Sequence, residues 1–381
     1  MANTAILGIN DQVDGSCFLT TDAAFGLTGF NTGNLAFHYA MNHILGGNQT
    51  FFPWGEPTDR LNDLGKTLVF PCANNLGPHA NFGGLAKHFS NLQVPIVAVG
   101  MGAQGAPSYE GIPEVPEGTQ NWVREISARS PSGAPNIGVR GPYTLEVLKH
   151  YGLADRAVVT GCPTLFINPA PKLGQVIASR AEKPWKRIAI AGGHQGWRHL
   201  SKIEASLSKI MEASGGSYIV QSPVEMLALA RGEADLLSVE ALTSCRDYVY
   251  EGMDLEEFKA WSRHYFRVFF NVSEWMECLR GHDFVVGARI HGVMLGLQAG
   301  IPGLCIAHDS RTRELCETLL VPYVMAKDIS RGTTPDDLRA RFEFDGEKFD
   351  ENRRTLAGRF DEFLTNNMIE SSSILQKIMS A

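Results

Sequence analysis

An arginine and a histidine close the apolar run Val285-Val286-Gly287-Ala288-Arg289-Ile290-His291-Gly292, where a strand is expected to turn into a helix. Helix N-termini carry N–H groups without intrahelical partners and a partial positive charge, so a helix starting near Gly292 favours a phosphate or carboxylate there. Arg289 would add a two-pronged cationic donor to that site. His291 would add a group able to donate a hydrogen bond or carry a proton. The helix is small and apolar, and Gly300-Ile301-Pro302 ends it before a second apolar run, Gly303 to Ala307. The segment therefore reads as a β-α-β unit whose loop lies at the carboxyl end of its first strand, the edge where α/β sheets bind ligands. His308, Asp309, Ser310 and Arg311 follow the second strand and fall at the same edge. His308 is a second candidate proton carrier, Arg311 a further cation, and Asp309 either part of the site or the cap of a helix starting near Thr312.

Other residues in the chain suit the same chemistry. Arg140 ends the short apolar run Ile137-Gly138-Val139 and precedes Gly141-Pro142, which places its guanidinium at a carboxyl edge, as a ligand clamp or as a paired structural arginine. Asn31-Thr32-Gly33-Asn34 opens an amphipathic helix: capping explains Asn31 and Thr32, and Gly33 would also let backbone approach a ligand. His194 and Trp197 occupy an equivalent loop of the second half, where Trp197 could stack on a sugar or pack. The aromatic segment Trp261 to Phe270 reads as core. Gly100-Met101-Gly102-Ala103-Gln104-Gly105 has the letters of a dinucleotide fingerprint, but Pro107 precludes the required helix and no acidic residue stands about twenty positions on. It reads instead as a glycine turn beside the cleft.

These residues need strands to carry them. Apolar runs at Thr67–Pro71, Pro95–Gly100, Ile137–Arg140 and Ala157–Thr160 alternate with helices at Asn34–Leu45 and Pro142–Tyr151. The second half repeats the plan with strands at Arg187–Ala191, Ser217–Gln221, Phe266–Phe270, Asp283–Gly287 and Gly303–Ala307, and helices at Leu200–Ala213 and Ser273–Arg280. The fold class is thus α/β, with two Rossmann-like domains facing a cleft in a GT-B-like manner. Residues 1–170 form the first domain, on the acceptor side, and residues 171–333 the second. A polar helical segment, 334–381, folds back across them. The boundary lies at the extended, proline-rich Asn168-Pro169-Ala170-Pro171-Lys172-Leu173-Gly174, and Ala106 to Pro135 reads as a long loop with one short helix.

The 381 residues are 44% hydrophobic, enough for two cores, and only 20% charged with a net charge of −7 and no basic run. Nucleic-acid binding is disfavoured, leaving small molecules or proteins as partners. Seven scattered cysteines with no C-x-x-C pair suit reduced thiols rather than a disulfide framework, and no metal-ligand spacing occurs. The start Met1-Ala2-Asn3 lacks a basic, apolar leader, and no run approaches a membrane span, so a soluble cytoplasmic protein is expected. The sequons at Asn48 and Asn271 are then coincidental.

The order strand, Arg-x-His-Gly turn, apolar helix, Gly-x-Pro, strand and Asp309-containing loop resembles the signature of the polysaccharide pyruvyl transferase family. Three more stretches match in family order: Asn31-Thr32-Gly33-Asn34, Gly138-Val139-Arg140, and Val158-Val159-Thr160-Gly161-Cys162-Pro163. The chain departs from the pattern at Asn34 and Cys162, where the family usually has Asp, and at Arg311, where it has Lys. The resemblance implies transfer of pyruvyl from phosphoenolpyruvate to two hydroxyls of a free or lipid-linked saccharide acceptor, giving a ketal and phosphate without metal or cofactor. In that reading His291 is the first choice as general acid or phosphate partner and His308 the second, with at least one group titrating near neutral pH. Arg140, Arg289, Arg311 and Gly292 bind the donor, and Asn31 and Gly33 face a substrate. A GT-B glycosyltransferase using a sugar nucleotide and a non-catalytic polysaccharide-assembly protein are the alternatives; oligomeric state is left open.

Overall fold

The computed structural model describes residues 4–47 and 49–380, so the calls on Met1-Ala2-Asn3 and on the Asn48 sequon lie outside the described residues. Seven strands of the first half, β1 (Thr4–Leu7), β2 (Thr50–Phe52), β3 (Thr67–Pro71), β4 (Asn74–Leu76), β5 (Ile96–Ala103), β6 (Ile137–Val139) and β7 (Ala157–Val159), form one parallel sheet. Its order is β2-β1-β3-β5-β6-β7, with β4 beside the carboxyl end of β5. The second half contributes β8 (Ile188–Ala191), β9 (Ser217–Ile219), β10 (Phe266–Arg267), β11 (Phe284–Gly287), β12 (Gly303–Ala307) and β13 (Tyr323–Met325), again parallel, in the order β10-β9-β8-β11-β12-β13. Counted within its half, this is the Rossmann order 3-2-1-4-5-6, whereas the first sheet begins 2-1-3 as in flavodoxin-like sheets. Both halves are Rossmann-like α/β domains. The direction in which strands are added reverses between β1 and β3 in the first, and between β8 and β11 in the second. Doubly wound sheets bind ligands in the crevice outside the carboxyl ends at such switch points.

Parallel strands covered on both faces must be apolar on both, and the alternation along each strand sorts the two cores. Ala5, Leu7, Leu68, Phe70, Ile96 and Ala98 face a core confined to the first half. Their neighbours Ile6, Val69, Val97 and Val99 face a second core that also contains the Gly33–Ile44 helix and most of the second domain. Hydrogen bonds tie the halves at several points: Val13 N–H to Phe270 O (2.9 Å), Thr32 N–H to Gln221 O (3.0 Å) and Gly105 N–H to Ser310 Oγ (2.8 Å).

Most strands fall where periodicity places them; β1, β2, β4 and β13 are not among those expected, and β10 is shorter than the expected Phe266–Phe270. Residues 168–174, expected to be an extended connection, instead form a docked turn leading into the Leu173–Ala181 helix. Gln298 holds Asn168 through two hydrogen bonds (2.8 Å each), and the buried Arg353 guanidinium donates to the carbonyls of Leu165, Asn168 and Ala170. Arg353 belongs to the Gly346–Asn366 helix, and the chain beyond it reaches the first domain, where Ser372 N–H bonds Ile44 O (2.8 Å). The expected glycine turn after β5 is also corrected: β5 continues to Ala103, and its glycines make room for side chains. A Cβ on Gly100, whose φ is +75°, would stand 2.6 Å from the Phe37 ring, and one on Gly102 would stand 2.9 Å from Arg140 Cδ. No helix of the structure is long and apolar enough to cross a membrane.

Candidate functional site

Three guanidiniums reach the carboxyl edges from three strand ends. Arg140 follows β6 and is only 3% exposed; Arg289 follows β11 and is the N-cap residue of the nine-residue Ile290–Gln298 helix; Arg311 lies in the first turn of the Ser310–Leu319 helix after β12. Each buries its Nε with no hydrogen-bond partner among the described residues. Native proteins rarely leave buried donors unmade, and three such atoms on neighbouring cations would suit the acceptors of an anion. Arg289 donates to Ser222 Oγ and lies over the Trp197 ring (4.5 Å). Behind it the buried Glu204 carboxyl accepts from Gly193 N–H (2.9 Å), Tyr218 Oη and Tyr248 Oη (3.4 Å) with no direct ion pair to Arg289, and burial raises its pKa. Burial lowers the Arg289 pKa to about 10, with Arg311 adding to the effect. Arg140 is likewise lowered, first by burial and then by Arg311.

His291 is the second residue of the Ile290–Gln298 helix, which starts two residues before the expected Gly292. Its Nε2 stands 3.8 Å from the Cys162 thiol, which in turn contacts Thr164 Oγ1 (3.1 Å). Burial, followed by the charges of Arg140, Arg311 and Arg289, lowers the His291 pKa to about 3. His308 is lowered to about 4 by burial, against the opposing charge of Asp309 and with Arg311, His199 and Arg289 adding to the lowering; its ring lies 4.4 Å from that of Trp197, and its Nε2 is buried without a partner among the described residues. The expectation that one of these groups titrates near neutrality is thereby corrected. Both rings are neutral at pH 7, first because burial disfavours the imidazolium and then because the arginines around them repel a proton. An anion seated among those guanidiniums cancels that repulsion, so protonation of His291 becomes coupled to occupancy by a negatively charged ligand.

The remaining expected residues divide by role. Asp309 is a helix cap, accepting Thr312 N–H (2.7 Å), and it also pairs with Arg311 (3.2 Å). Burial alone would raise its carboxyl, yet Arg311, His308 and Thr312 hold it below the ordinary carboxylate range. Asn31 Oδ1 accepts the Gly33 N–H (3.0 Å), so this amide makes a local turn. Gly33 and Gly292, one from each domain, both face the Gln221 side chain: a Cβ would stand 2.5 Å from its Oε1 in the first case and 2.8 Å from its Nε2 in the second. Gly33 thus makes room for Gln221 across the domain contact, and Gly292 makes room for Gln221 and for Ala191 Cβ (2.8 Å) within its own domain. Asn34 donates from Nδ2 to Thr28 O (3.1 Å) and Gly29 O (3.2 Å), bonds no carboxylate could make.

Sequence reasoning missed several groups. His38 sits one helical turn after Asn34, donates from Nδ1 to Asn34 O (3.0 Å) and is lowered to about 4 by burial; its i, i+4 spacing was a readable signal. Gln221, Ser222 and Glu204 lie in stretches with no motif. A cavity of about 330 Å³ adjoins the cluster on the first-domain side, and both Arg140 and His291 line it.

The sequence profile described as polysaccharide pyruvyl transferase matches residues 31–310. The chain belongs to the polysaccharide pyruvyl transferase family. That match runs from Asn31 to Ser310 and so includes Arg140, Cys162, Arg289, His291 and His308, while Arg311 falls just past it. Among curated proteins none matches the chain. Similar solved structures include a UDP-GlcNAc 2-epimerase from Methanocaldococcus jannaschii in complex with UDP-GlcNAc and UDP (10% identity, 94% of this chain and 99% of that one, TM-score 0.43). Another is a UDP-GlcNAc 2-epimerase from Neisseria meningitidis bound to UDP-GlcNAc (11% identity, 98% and 97%, TM-score 0.38), and a third a UDP-glucose:anthocyanidin 3-O-glucosyltransferase in complex with UDP (10% identity, 100% and 100%, TM-score 0.35). At such scores the fold rests on the strand orders described above rather than on these likenesses.

Proposed function

We propose that the protein transfers the pyruvyl unit of phosphoenolpyruvate to two hydroxyls of one sugar residue, forming a ketal and releasing inorganic phosphate. The observation that carries this reading is the convergence of Arg140, Arg289 and Arg311 on His291, each arginine with a buried, unpartnered Nε. Phosphoenolpyruvate brings a carboxylate and a phosphate on one enol carbon, and a three-arginine site beside an uncapped helix N-terminus answers both charges. Binding of the donor would raise the His291 pKa from its depressed value and load the imidazole with a proton. That proton then passes to the methylene carbon, leaving an oxocarbenium centre at the enol carbon, which the first hydroxyl attacks. Cleavage of the carbon–oxygen bond to phosphate regenerates a cationic carbon for the second hydroxyl. Of the two hydroxyl protons released, one in effect replaces the proton used to make the methyl group and the other leaves on phosphate. The arginines stabilise the departing phosphate.

The test incubates purified protein with phosphoenolpyruvate and a panel of glycosides and measures phosphate release, alongside thermal shifts with phosphoenolpyruvate, UDP-sugars and CMP-sugars. Stabilisation by phosphoenolpyruvate above the nucleotide sugars, with acceptor-dependent phosphate release, supports the proposal. The opposite ranking, with nucleotide release, assigns glycosyl transfer instead.

A further inference from the structure

From the cavity at the switch point of the first sheet we infer that the protein seats one neutral hexopyranose ring of its acceptor there, against Trp54 and Phe30, with the reacting hydroxyls toward His291. The inference takes the pyruvyl-transfer reading as given for the reaction, and adds where the second substrate sits and of what chemical kind it is.

Four observations converge. The cavity is lined by Ile9 just after β1 and by Pro71, Cys72 and Ala73 at the end of β3, the two strands between which the strand order reverses. It opens onto the anion site, because Arg140 and His291 form one end of its wall. Its lining holds no aspartate, glutamate or lysine; the polar groups away from Arg140 and His291 are the amides of Asn34 and Asn75 and the neutral imidazole of His38. A polyanionic donor would therefore go to the arginines, and this cavity suits an uncharged polyol. Finally, two large aromatic side chains at the lining stay in solvent, Phe30 at 70% exposure and Trp54 at 40%. Phe30 is held at φ +60°, a conformation unusual for a bulky side chain. Trp54 is braced edge-on by Phe70 at 4.7 Å, which fixes its ring as a platform. Apolar CH faces of a pyranose pack on such rings while its hydroxyls reach the amides. The volume, about 330 Å³, falls at the low end of the roughly 300–1,000 Å³ of small-molecule sites, room for a sugar ring but not for a sugar nucleotide.

The experiment titrates the methyl α- and β-pyranosides of glucose, galactose and mannose into the full-length protein holding phosphoenolpyruvate, by saturation-transfer NMR and by tryptophan fluorescence. At least one glycoside is expected to bind. Trp54→Ala and Phe30→Ala, both at exposed positions, should each weaken it by about tenfold while the affinity for phosphoenolpyruvate is unchanged, and Trp54→Phe should restore most of the loss. Unaltered glycoside affinity in both alanine variants overturns the inference, as does failure of every glycoside to bind a protein that binds phosphoenolpyruvate. Glycoside binding sensitive to Trp54 in a protein that ignores phosphoenolpyruvate would instead keep the sugar site and remove the pyruvyl-transfer reading.

Discussion

Replacing Cys162 by Asp tests the electrostatic account of His291 most directly. The thiol lies 3.8 Å from His291 Nε2 and is neutral at pH 7, burial raising its pKa despite the nearby Arg140. A carboxylate in its place would stand at a similar distance. At about 4 Å and an effective dielectric near 20, a unit charge pair is worth about 4 kcal/mol, which corresponds to a rise of about 3 pKa units. His291 should move from about 3 to the neighbourhood of 6, and Arg140 should keep the new carboxylate ionised. Cys162→Asn supplies the same shape without the charge and should leave His291 where it is. The assay is a ring-resonance NMR titration of the histidines, with His291→Gln identifying the signal and thermal melts checking the fold. Donor affinity should fall in the Asp variant, because its charge competes with phosphoenolpyruvate for Arg140. If His291 in the folded Asp variant titrates less than about one unit above the unmodified protein, the charges assigned here do not govern it.

Arg289→Lys should keep the fold yet lower kcat/KM by about 10²–10³, since an ammonium gives neither the two-pronged contact nor the stack on Trp197; near-normal efficiency would remove Arg289 from the donor site. His291→Gln should bind phosphoenolpyruvate and release no phosphate, separating hydrogen bonding from proton transfer, whereas substantial turnover would leave His291 a positioning role only. Asn34→Asp loses two donor bonds and sets a charge against two carbonyls, so the melting temperature should drop by on the order of 10 °C; an unchanged melt refutes that role for the amide. The unfolded chain binds protons at His38, His291 and His308 near pH 6.5, where the folded protein does not. Stability should therefore be complete above that pH and fall as pH drops toward about 4, by up to about 1.4 kcal/mol per unit per histidine, less for the half-buried His308; denaturant melts at pH 7, 6 and 5 that coincide would contradict it.

The long apolar strands and the helices after them could be read from periodicity alone, because parallel strands buried on two faces leave little sequence freedom. Arg140, Arg289 and Arg311 were legible for the same reason: a charged residue ending such a strand has few places to go but the carboxyl edge. What the sequence hid is relational. Nothing in Gly33 or Gly292 indicates that both press on Gln221 from opposite domains, since that requires the domain contact itself. The depressed pKa of His291 is not legible because a histidine's ordinary pKa says nothing of its burial or of three cations arriving from 151, 2 and 20 residues away along the chain. Trp54 and Phe30 carry no motif, and only the folded arrangement around β1 and β3 puts them beside one cavity.

Glu314, on the Ser310–Leu319 helix of the second domain, accepts from the Thr144 amide (2.7 Å) and the Thr144 hydroxyl (2.7 Å) in the first turn of the Pro142–His150 helix, which follows Arg140. One domain thus caps a helix of the other. Any excursion that parts the two halves along this side must strip that cap and bare a buried carboxylate, so widening of the cleft and fraying of a helix end become a single event. The exchange rate of the Thr144 amide hydrogen with solvent is in consequence a built-in gauge of domain opening. A ligand that bridges Arg140 and Arg311 should slow it even though it touches neither Thr144 nor Glu314.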